Sequence, residues 1–273
     1  MMEETARAKL NLALHVRGRE PDGYHRIETI FAFCTDGDLL RVAAGEDLGL
    51  ELVGPFAAGL AAEHDNLVLR AARALAERHA PGRGARLTLD KRLPVASGIG
   101  GGSADAAAAL RLLDRWWGLD LGEAGLLDIA RGLGADVPAC LLSRPTRGTG
   151  RGDVLEEIED APFRGLPALL VNPRVAVSTP AVFRAWDGVD RGPLPGDVRD
   201  GRNDLQPAAI AVAPIVADCL RLLGERFGAT LVRMSGSGAT CFALFDNEVD
   251  RDRAAAKMAE ERPGWWRLAT RLA

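Results

Sequence analysis

The run Leu93-Pro94-Val95-Ala96-Ser97-Gly98-Ile99-Gly100-Gly101-Gly102-Ser103-Ala104-Asp105, which leads directly into the alanine-rich residues 106–113, constrains this chain more than any other feature. Glycines lack a Cβ, so successive backbone N–H groups can turn inward toward an anion, and the following helix adds unpaired donors and the positive end of its dipole. The pattern reads as a phosphate cradle that opens a helix. It is not a Walker A loop, because no Gly-Lys-Ser/Thr follows. It is not a dinucleotide fingerprint either, because no G-x-G-x-x-G lies in a βαβ unit with an acidic residue at the right distance. A flexible linker is the plainer alternative, but linkers are rarely entered through Lys91-Arg92-Leu93-Pro94 and left through so strong a helix.

At 273 residues the chain can bury one large core or, more naturally, two of ordinary size. Two domains are expected, 1–155 and 156–273, with the boundary close to Glu156. Residues 7–16 alternate well enough for a strand and 28–42 read as one or two more, with turn chemistry in Pro21-Asp22-Gly23 between them. Asp65-Asn66 cap a helix over 67–78, and 86–89 form a short strand feeding the glycine loop. Residues 122–133 read as a helix stopped by Gly134 at its C′ position, which leaves Asp136 at a corner between elements. Residues 143–153, rich in Gly, Arg and Pro, read as a loop or the start of the domain crossing. Beyond them come a strand at 166–171, one long helix over 207–223 and a hairpin of 229–234 with 241–245. A charged helix at 251–261 and a strand at 265–272 complete the pattern. Helices alternating with strands in both halves argue for two α+β sandwiches.

A formal net charge of −4 with 26% charged residues provides no broad basic field for nucleic acid or a membrane surface. Any anionic substrate must then be met by local donors. Met1-Met2-Glu3-Glu4 lacks the pattern of a signal peptide, and no apolar run approaches the ~20 residues that span a bilayer, so a cytoplasmic protein is expected. Cys34, Cys140, Cys219 and Cys241 are too scattered for a disulfide framework or a zinc site, and read as buried free thiols. Lys9, Lys91 and Lys257 are the only lysines in a chain that otherwise uses arginine, which gives Lys9 weight as a compact point charge.

Three segments carry a resemblance. Ala8-Lys9-Leu10-Asn11-Leu12, the glycine loop, and Met234-Ser235-Gly236-Ser237-Gly238-Ala239-Thr240-Cys241 fall in the order of the three motifs of the GHMP kinases, and the chain resembles that superfamily along its whole length. Pro21-Asp22-Gly23-Tyr24-His25 with Glu28-Thr29, Gly134-Ala135-Asp136-Val137-Pro138, and Asn203-Asp204-Leu205-Gln206-Pro207 are similar to the branch that acts on a CDP-linked methylerythritol. The resemblance implies a ribosomal-protein-S5-like N-terminal domain that binds ATP, a ferredoxin-like C-terminal domain on the substrate side, and a site in the cleft between them. It implies ATP-dependent phosphorylation of the 2-hydroxyl of that substrate, in the non-mevalonate route to isoprenoid precursors, with Mg2+ accompanying the nucleotide.

By the same resemblance Asp136 is the catalytic base and Lys9 its partner. The N–H groups of Gly100, Gly101, Gly102, Ser103 and Ala104 wrap the ATP phosphates, with Pro94 and Gly98 on the same nucleotide-binding stretch. The common loop of the superfamily begins Gly-Gly-Gly-Leu, whereas Ala96-Ser97-Gly98-Ile99 stands here; the Gly100 to Ser103 core survives. Cytosine would lie between Tyr24 and Phe183 with His25 reading its edge, and Asn11 and Thr179 would meet the methylerythritol or phosphate end. Gly236, Ser237 and Gly238 would close over substrate. Read without the resemblance, Asp136 serves equally well as a helix cap, Ser235 to Gly238 as a plain hairpin turn, and Asn203 and Asp204 as ordinary caps with Pro207 in the first helical turn. His15, His64 and His79 match nothing and read as structural or surface residues. No residue is assigned to a dedicated metal site. The rival readings are a homoserine-type or mevalonate-type GHMP kinase, which has no base to stack on Tyr24, and an inactive nucleotide-binding regulator, which has no need of both Lys9 and Asp136.

Overall fold

The computed structural model describes residues 2–60 and 66–273, so His64 and Asp65 lie outside the described residues. Two long paired strands, β1 (Met2–Arg19) and β2 (His25–Ala43), begin the chain and contribute residues to both of its compact units. One unit comprises the chain up to Lys9, Asp36–Val95 and Gly100–Ser143; the other comprises Leu10–Thr35, Ala96–Ile99 and Arg144–Ala273. These units interleave along the chain, whereas the expected boundary near Glu156 is a single crossing.

In the first unit, β3 (Leu48–Val53) runs parallel to β4 (Ala85–Asp90), and β4 pairs antiparallel with the far end of β2, from Leu39 opposite Asp90 to Ala43 opposite Arg86. Leu40, Val42, Leu87 and Leu89 are fully or almost fully buried. Helices α1 (Leu67–His79) and α2 (Gly101–Trp117) pack against each other, and Ala106 to Ala109 of α2 are wholly buried, because small side chains let neighbouring elements approach closely. The Asn66 side chain caps α1 by accepting from the Val68 amide at 2.8 Å. The unit also holds α3 (Gly122–Arg131) and the short α4 (Val137–Leu142).

A buried ion triad ties this unit together. Lys91, at the end of β4, points its ammonium at Asp38 Oδ2 (2.5 Å) and Asp105 Oδ2 (2.6 Å), and all three side chains are almost wholly buried. Asp38 Oδ1 accepts from the amides of Arg92 (2.6 Å) and Leu93 (2.8 Å), so it also fixes the entry to the glycine loop. Burial works to lower the Lys91 pKa, but the two carboxylates outweigh it and raise it. Burial, together with the Asp38 charge, pushes Asp105 up to about 7 against the pull of Lys91, and its second oxygen has no partner.

In the second unit the near end of β2 pairs with β5 (Thr146–Thr149), and β5 with β6 (Val154–Glu157). A separate antiparallel sheet has the order β10-β7-β9-β8, built from β7 (Pro167–Asn172), β8 (Ala229–Met234), β9 (Cys241–Phe245) and β10 (Trp266–Arg271). Helices α5 (Thr179–Ala185), α6 (Gln206–Val212), α7 (Ile215–Gly224) and α8 (Glu248–Glu261) complete the unit. Leu169, Val171, Val182, Val216, Leu223 and Phe245 belong to one core.

Three local expectations change. The helix expected over 207–223 is two, because Pro214 has no N–H to donate and forces Ala213 out of helical geometry (φ −141°, ψ 87°). Gly134 is not a left-handed helix stop; α3 ends earlier, in turns from the Gly132 and Leu133 amides to the Ile129 and Ala130 carbonyls. Part of 143–153 is strand β5. All four cysteines are free and buried, as expected.

The triad makes stability depend on pH. Between the ordinary carboxyl value of 3.8 and about 7, folded Asp105 holds a proton that the unfolded chain has released, so its contribution to stability falls as pH rises. Asp105→Asn removes that dependence while keeping an oxygen for Lys91. The melting temperature of the variant relative to the unmutated chain is expected to rise from pH 4 to pH 7 and level off above. A difference independent of pH would show that Asp105 is ionised throughout.

Candidate active site

Asp136 stands at the N-terminal edge of α4, where a carboxylate would ordinarily cap the helix. It makes no capping bond. Its Oδ2 lies 3.1 Å from Lys9 Nζ, with the lysine side chain 4% exposed and the aspartate 38%. A buried ammonium thus holds a half-open carboxylate. Lys9 also lies directly against the glycine loop: a Cβ on Gly100 would come within 2.9 Å of Lys9 Cε, and Gly100 has φ +64°. Cys140 is close by, and burial first, then the Asp136 charge, pushes its thiol up to about 12, so it stays protonated.

Gly100 is the left-handed N-cap of α2, and Gly101, Gly102 and Ser103 form its first turn. Their amides have no acceptor within the helix by geometry. The Ala104 amide differs, because it donates to the Gly100 carbonyl at 2.8 Å, so the five expected donors narrow to four, those of Gly100 to Ser103. A Cβ on Gly101 would sit 3.0 Å from Lys91 Nζ, whereas one on Gly102 would meet nothing within 4 Å. Gly102 is therefore the position where backbone lies open to a ligand. Pro94 is buried.

The second unit assembles a separate group. The Asn11 amide donates to Ser235 Oγ (3.1 Å), and Ser235 Oγ donates to the Gly98 carbonyl (2.9 Å). A Cβ on Gly98 would fall 2.5 Å from the Ser235 carbonyl, and one on Gly236 would fall 2.9 Å from the Gly98 carbonyl. Gly98 and Gly236 are thus glycine because two backbone turns press together. Gly238, at φ +84°, would drive a Cβ to 2.7 Å from Met234 Sδ. Thr179, at the start of α5, shares a hydrogen bond of 2.8 Å with Ser237, which brings two expected substrate contacts together.

His25 packs its ring 4.9 Å from Phe183 and edge-on to Trp186 at 5.6 Å. Burial, then the Arg19 charge, lowers its pKa, so the imidazole is neutral near pH 7. Tyr24 stands beside it in the turn and is 57% exposed. Tyr24 carries a guanidinium on one face, with Arg151 Cζ 4.0 Å from the ring centre.

Sequence reasoning missed several supports. Asn203 Nδ2 donates to the Met234 and Gly236 carbonyls, both at 2.8 Å, and so holds the second glycine turn from behind. Asp204 does not cap α6; its carboxylate accepts from the Val16 amide (2.9 Å) and Arg202 Nε (2.6 Å). His15, buried, faces the Gly192 carbonyl with Nδ1 (3.0 Å) and accepts from the Arg202 amide with Nε2 (3.3 Å), as a structural residue does.

Comparison with known proteins bears on the family of the chain. Residues 66–144 match the GHMP kinases N terminal domain and residues 196–263 match GHMP kinases C terminal. The chain is 55% identical over 276 residues to a 4-diphosphocytidyl-2-C-methyl-D-erythritol kinase of Rhizorhabdus wittichii, covering 98% of this chain and 94% of that one. The enzyme of the same name from Sphingopyxis alaskensis is 49% identical, with 99% and 98% covered. A crystal structure of 4-(cytidine 5'-diphospho)-2C-methyl-D-erythritol kinase matches with a TM-score of 0.85 at 34% identity, over 100% of this chain and 99% of that one. A homoserine kinase from Cytophaga hutchinsonii, at 16% identity and a TM-score of 0.69 over 99% and 94%, shares the fold alone. With both family domains present and full-length identity near one half, the chain belongs to the GHMP kinases, in the family of the 4-diphosphocytidyl-2-C-methyl-D-erythritol kinases.

Proposed function

We propose that this chain transfers the γ-phosphoryl group of ATP to the 2-hydroxyl of 4-diphosphocytidyl-2-C-methyl-D-erythritol, a step in the non-mevalonate formation of isoprenoid precursors. One observation carries the reading: Lys9 pairs with Asp136 at 3.1 Å and packs on Gly100, which sets a carboxylate base beside the open start of α2. Phosphoryl transfer asks the protein mainly for position and charge. The substrate hydroxyl attacks the γ-phosphorus, its proton passes to Asp136, the bond from the γ-phosphorus to the bridging oxygen breaks, and ADP leaves. Lys9 pairs with the carboxylate and offers positive charge to the attacking oxygen. Gly100, Gly101, Gly102 and Ser103 direct amides at the phosphates.

Mg2+ would enter with the nucleotide and neutralise phosphate oxygens, with the Ser103 hydroxyl the nearest candidate among the loop side chains. Among the described residues no group of three or more His, Cys, Asp and Glu side chains could hold a metal ion. Residues 1–155 would carry ATP, with 156–273 on the substrate side. Asn11, Thr179 and the turn from Gly236 to Gly238 would meet the methylerythritol or phosphate end, and Tyr24, His25 and Phe183 the cytosine. Neither nucleic acid nor membrane is a partner in this reading, and the cytoplasm is its setting: the net charge is −4, and no described helix is long and apolar enough to cross a membrane.

Three substitutions test the assignment. Asp136→Asn keeps the shape but removes the proton acceptor, and kcat is expected to fall roughly 10²-fold or more with substrate still bound; near wild-type turnover would sink the role of Asp136. Gly102→Val places a branched side chain where the protein leaves open space. It is expected to raise KM for ATP without lowering Tm or weakening the CDP-linked substrate, and equal losses for both ligands would point to damage of the fold. Tyr24→Ala removes a stacking face worth roughly 1–3 kcal/mol per base, so KM for the CDP-linked substrate is expected to rise by about one to two powers of ten, with ATP unaffected. An unchanged KM, or equal use of a small alcohol lacking CDP, would move the reading to a different GHMP kinase.

A further inference from the structure

The sharp turn Gly150-Arg151-Gly152 has φ +68° at its first glycine and +93° at its second. It is fixed from three sides: the Ile27 amide donates to the Gly150 carbonyl (2.8 Å), the Gly152 amide to the Thr149 carbonyl (3.0 Å), and the Arg151 amide to Asp153 Oδ1 (2.9 Å). A turn so held fixes the direction in which Arg151 leaves the backbone. The guanidinium lies over the Tyr24 ring and is ion-paired to Asp22. Asp22 in turn accepts from the Tyr24 amide with its other oxygen, at 3.0 Å. One aspartate therefore fixes both the backbone of Tyr24 and the cation over its ring. Tyr24 remains more than half exposed with the guanidinium in place, so ring surface is still open.

We propose that Arg151, oriented by Asp22, positions the Tyr24 ring for the base of the substrate, so that base, ring and guanidinium form one stacked column. The inference rests on the CDP-linked substrate argued above. An exposed tyrosine on a turn otherwise loses side-chain freedom when a base stacks on it, and a ring already held has less to lose. The guanidinium suits this task because it is planar and weakly hydrated, unlike an ammonium. Arg151 is thus a positioning residue that acts through Tyr24, in a loop the sequence shows only as Gly-Arg-rich.

The chain contains a single tyrosine, so protein carrying 13C-labelled tyrosine reports the Tyr24 ring alone. CDP added to the unmutated full-length protein is expected to shift that ring signal. Arg151→Ala is expected to move the signal before CDP is added and to weaken CDP binding about two- to five-fold, the scale of an exposed cation–π contact. KM for the CDP-linked substrate should rise by the same factor, with kcat and the KM for ATP unchanged. Arg151→Lys keeps the charge without the plane and should recover only part of the loss. In a Tyr24→Ala background, Arg151→Ala should cost nothing further. The proposal is overturned if Arg151→Ala leaves CDP affinity at the wild-type level, or if it costs the same factor with and without Tyr24, which would mean direct contact with the diphosphate. A wild-type ring signal that CDP does not move removes the substrate reading, and the inference with it.

Discussion

A single ammonium organises the part of this protein around the glycine loop. Lys91 sits between Asp38 and Asp105 with all three side chains buried; Lys91 directly follows β4, Asp38 lies in the far half of β2 and Asp105 in the second turn of α2. Two carboxylates share one ammonium there; burial first, and then the Asp38 charge, pushes Asp105 up to about 7 against the pull of Lys91, and one of its oxygens lacks a partner. Replacing such a group by apolar side chains would often cost little, but removing one member strands the others. What the triad provides is registry. It pins the strand that enters the glycine loop to the helix that leaves it, so the amides of Gly101 to Ser103 start from a fixed point.

The glycines divide into two kinds on that frame. Gly98 and Gly236 are glycine because carbonyl groups of opposing turns crowd the place a Cβ would occupy, and Asn203 secures the same turn from behind with two hydrogen bonds. Gly102 is crowded by nothing in the protein. Packing within the protein therefore does not explain the missing side chain at Gly102, in the first turn of α2. Gly100 and Gly101 are intermediate: each lies against a lysine, Lys9 and Lys91, so the loop is threaded between two of the three lysines in the sequence.

The features legible in the sequence were those written in local pattern. The glycine run into α2, the hairpin from β8 to β9 and the corner at Asp136 each follow from neighbouring residues, and the motif order of Lys9, the loop and Ser235 to Gly238 supplied the family. The resemblance also supplied Lys9 as the partner of Asp136; the structure adds that Asp136 leaves its helix uncapped and lies 3.1 Å from Lys9. In the sequence Lys91 reads only as part of the segment that enters the loop; a lysine is seldom buried, and the carboxylates brought to it from distant positions make its burial tolerable. The break at Pro214 was written in the sequence and was overridden by an attractive run of apolar residues at helical spacing. Arg151 over Tyr24 and Asn203 behind Gly236 are tertiary contacts between segments far apart in the chain, with no local signature.

Packing sets the charge state of His25, the residue proposed to read the base. Phe183 and Trp186 enclose its ring, and that enclosure, together with the Arg19 charge, disfavours the imidazolium. A neutral imidazole presents one donor and one acceptor, whereas an imidazolium presents two donors. The edge of cytosine likewise offers both a donor and acceptors, so the neutral form can answer either. A more exposed histidine at the same place would be partly charged near its ordinary value of 6.5, and its match to the base would vary with pH across the neutral range. The aromatic wall therefore does more than fill space beside Tyr24: it holds the group beside it in a single protonation state under the conditions in which the base would be read.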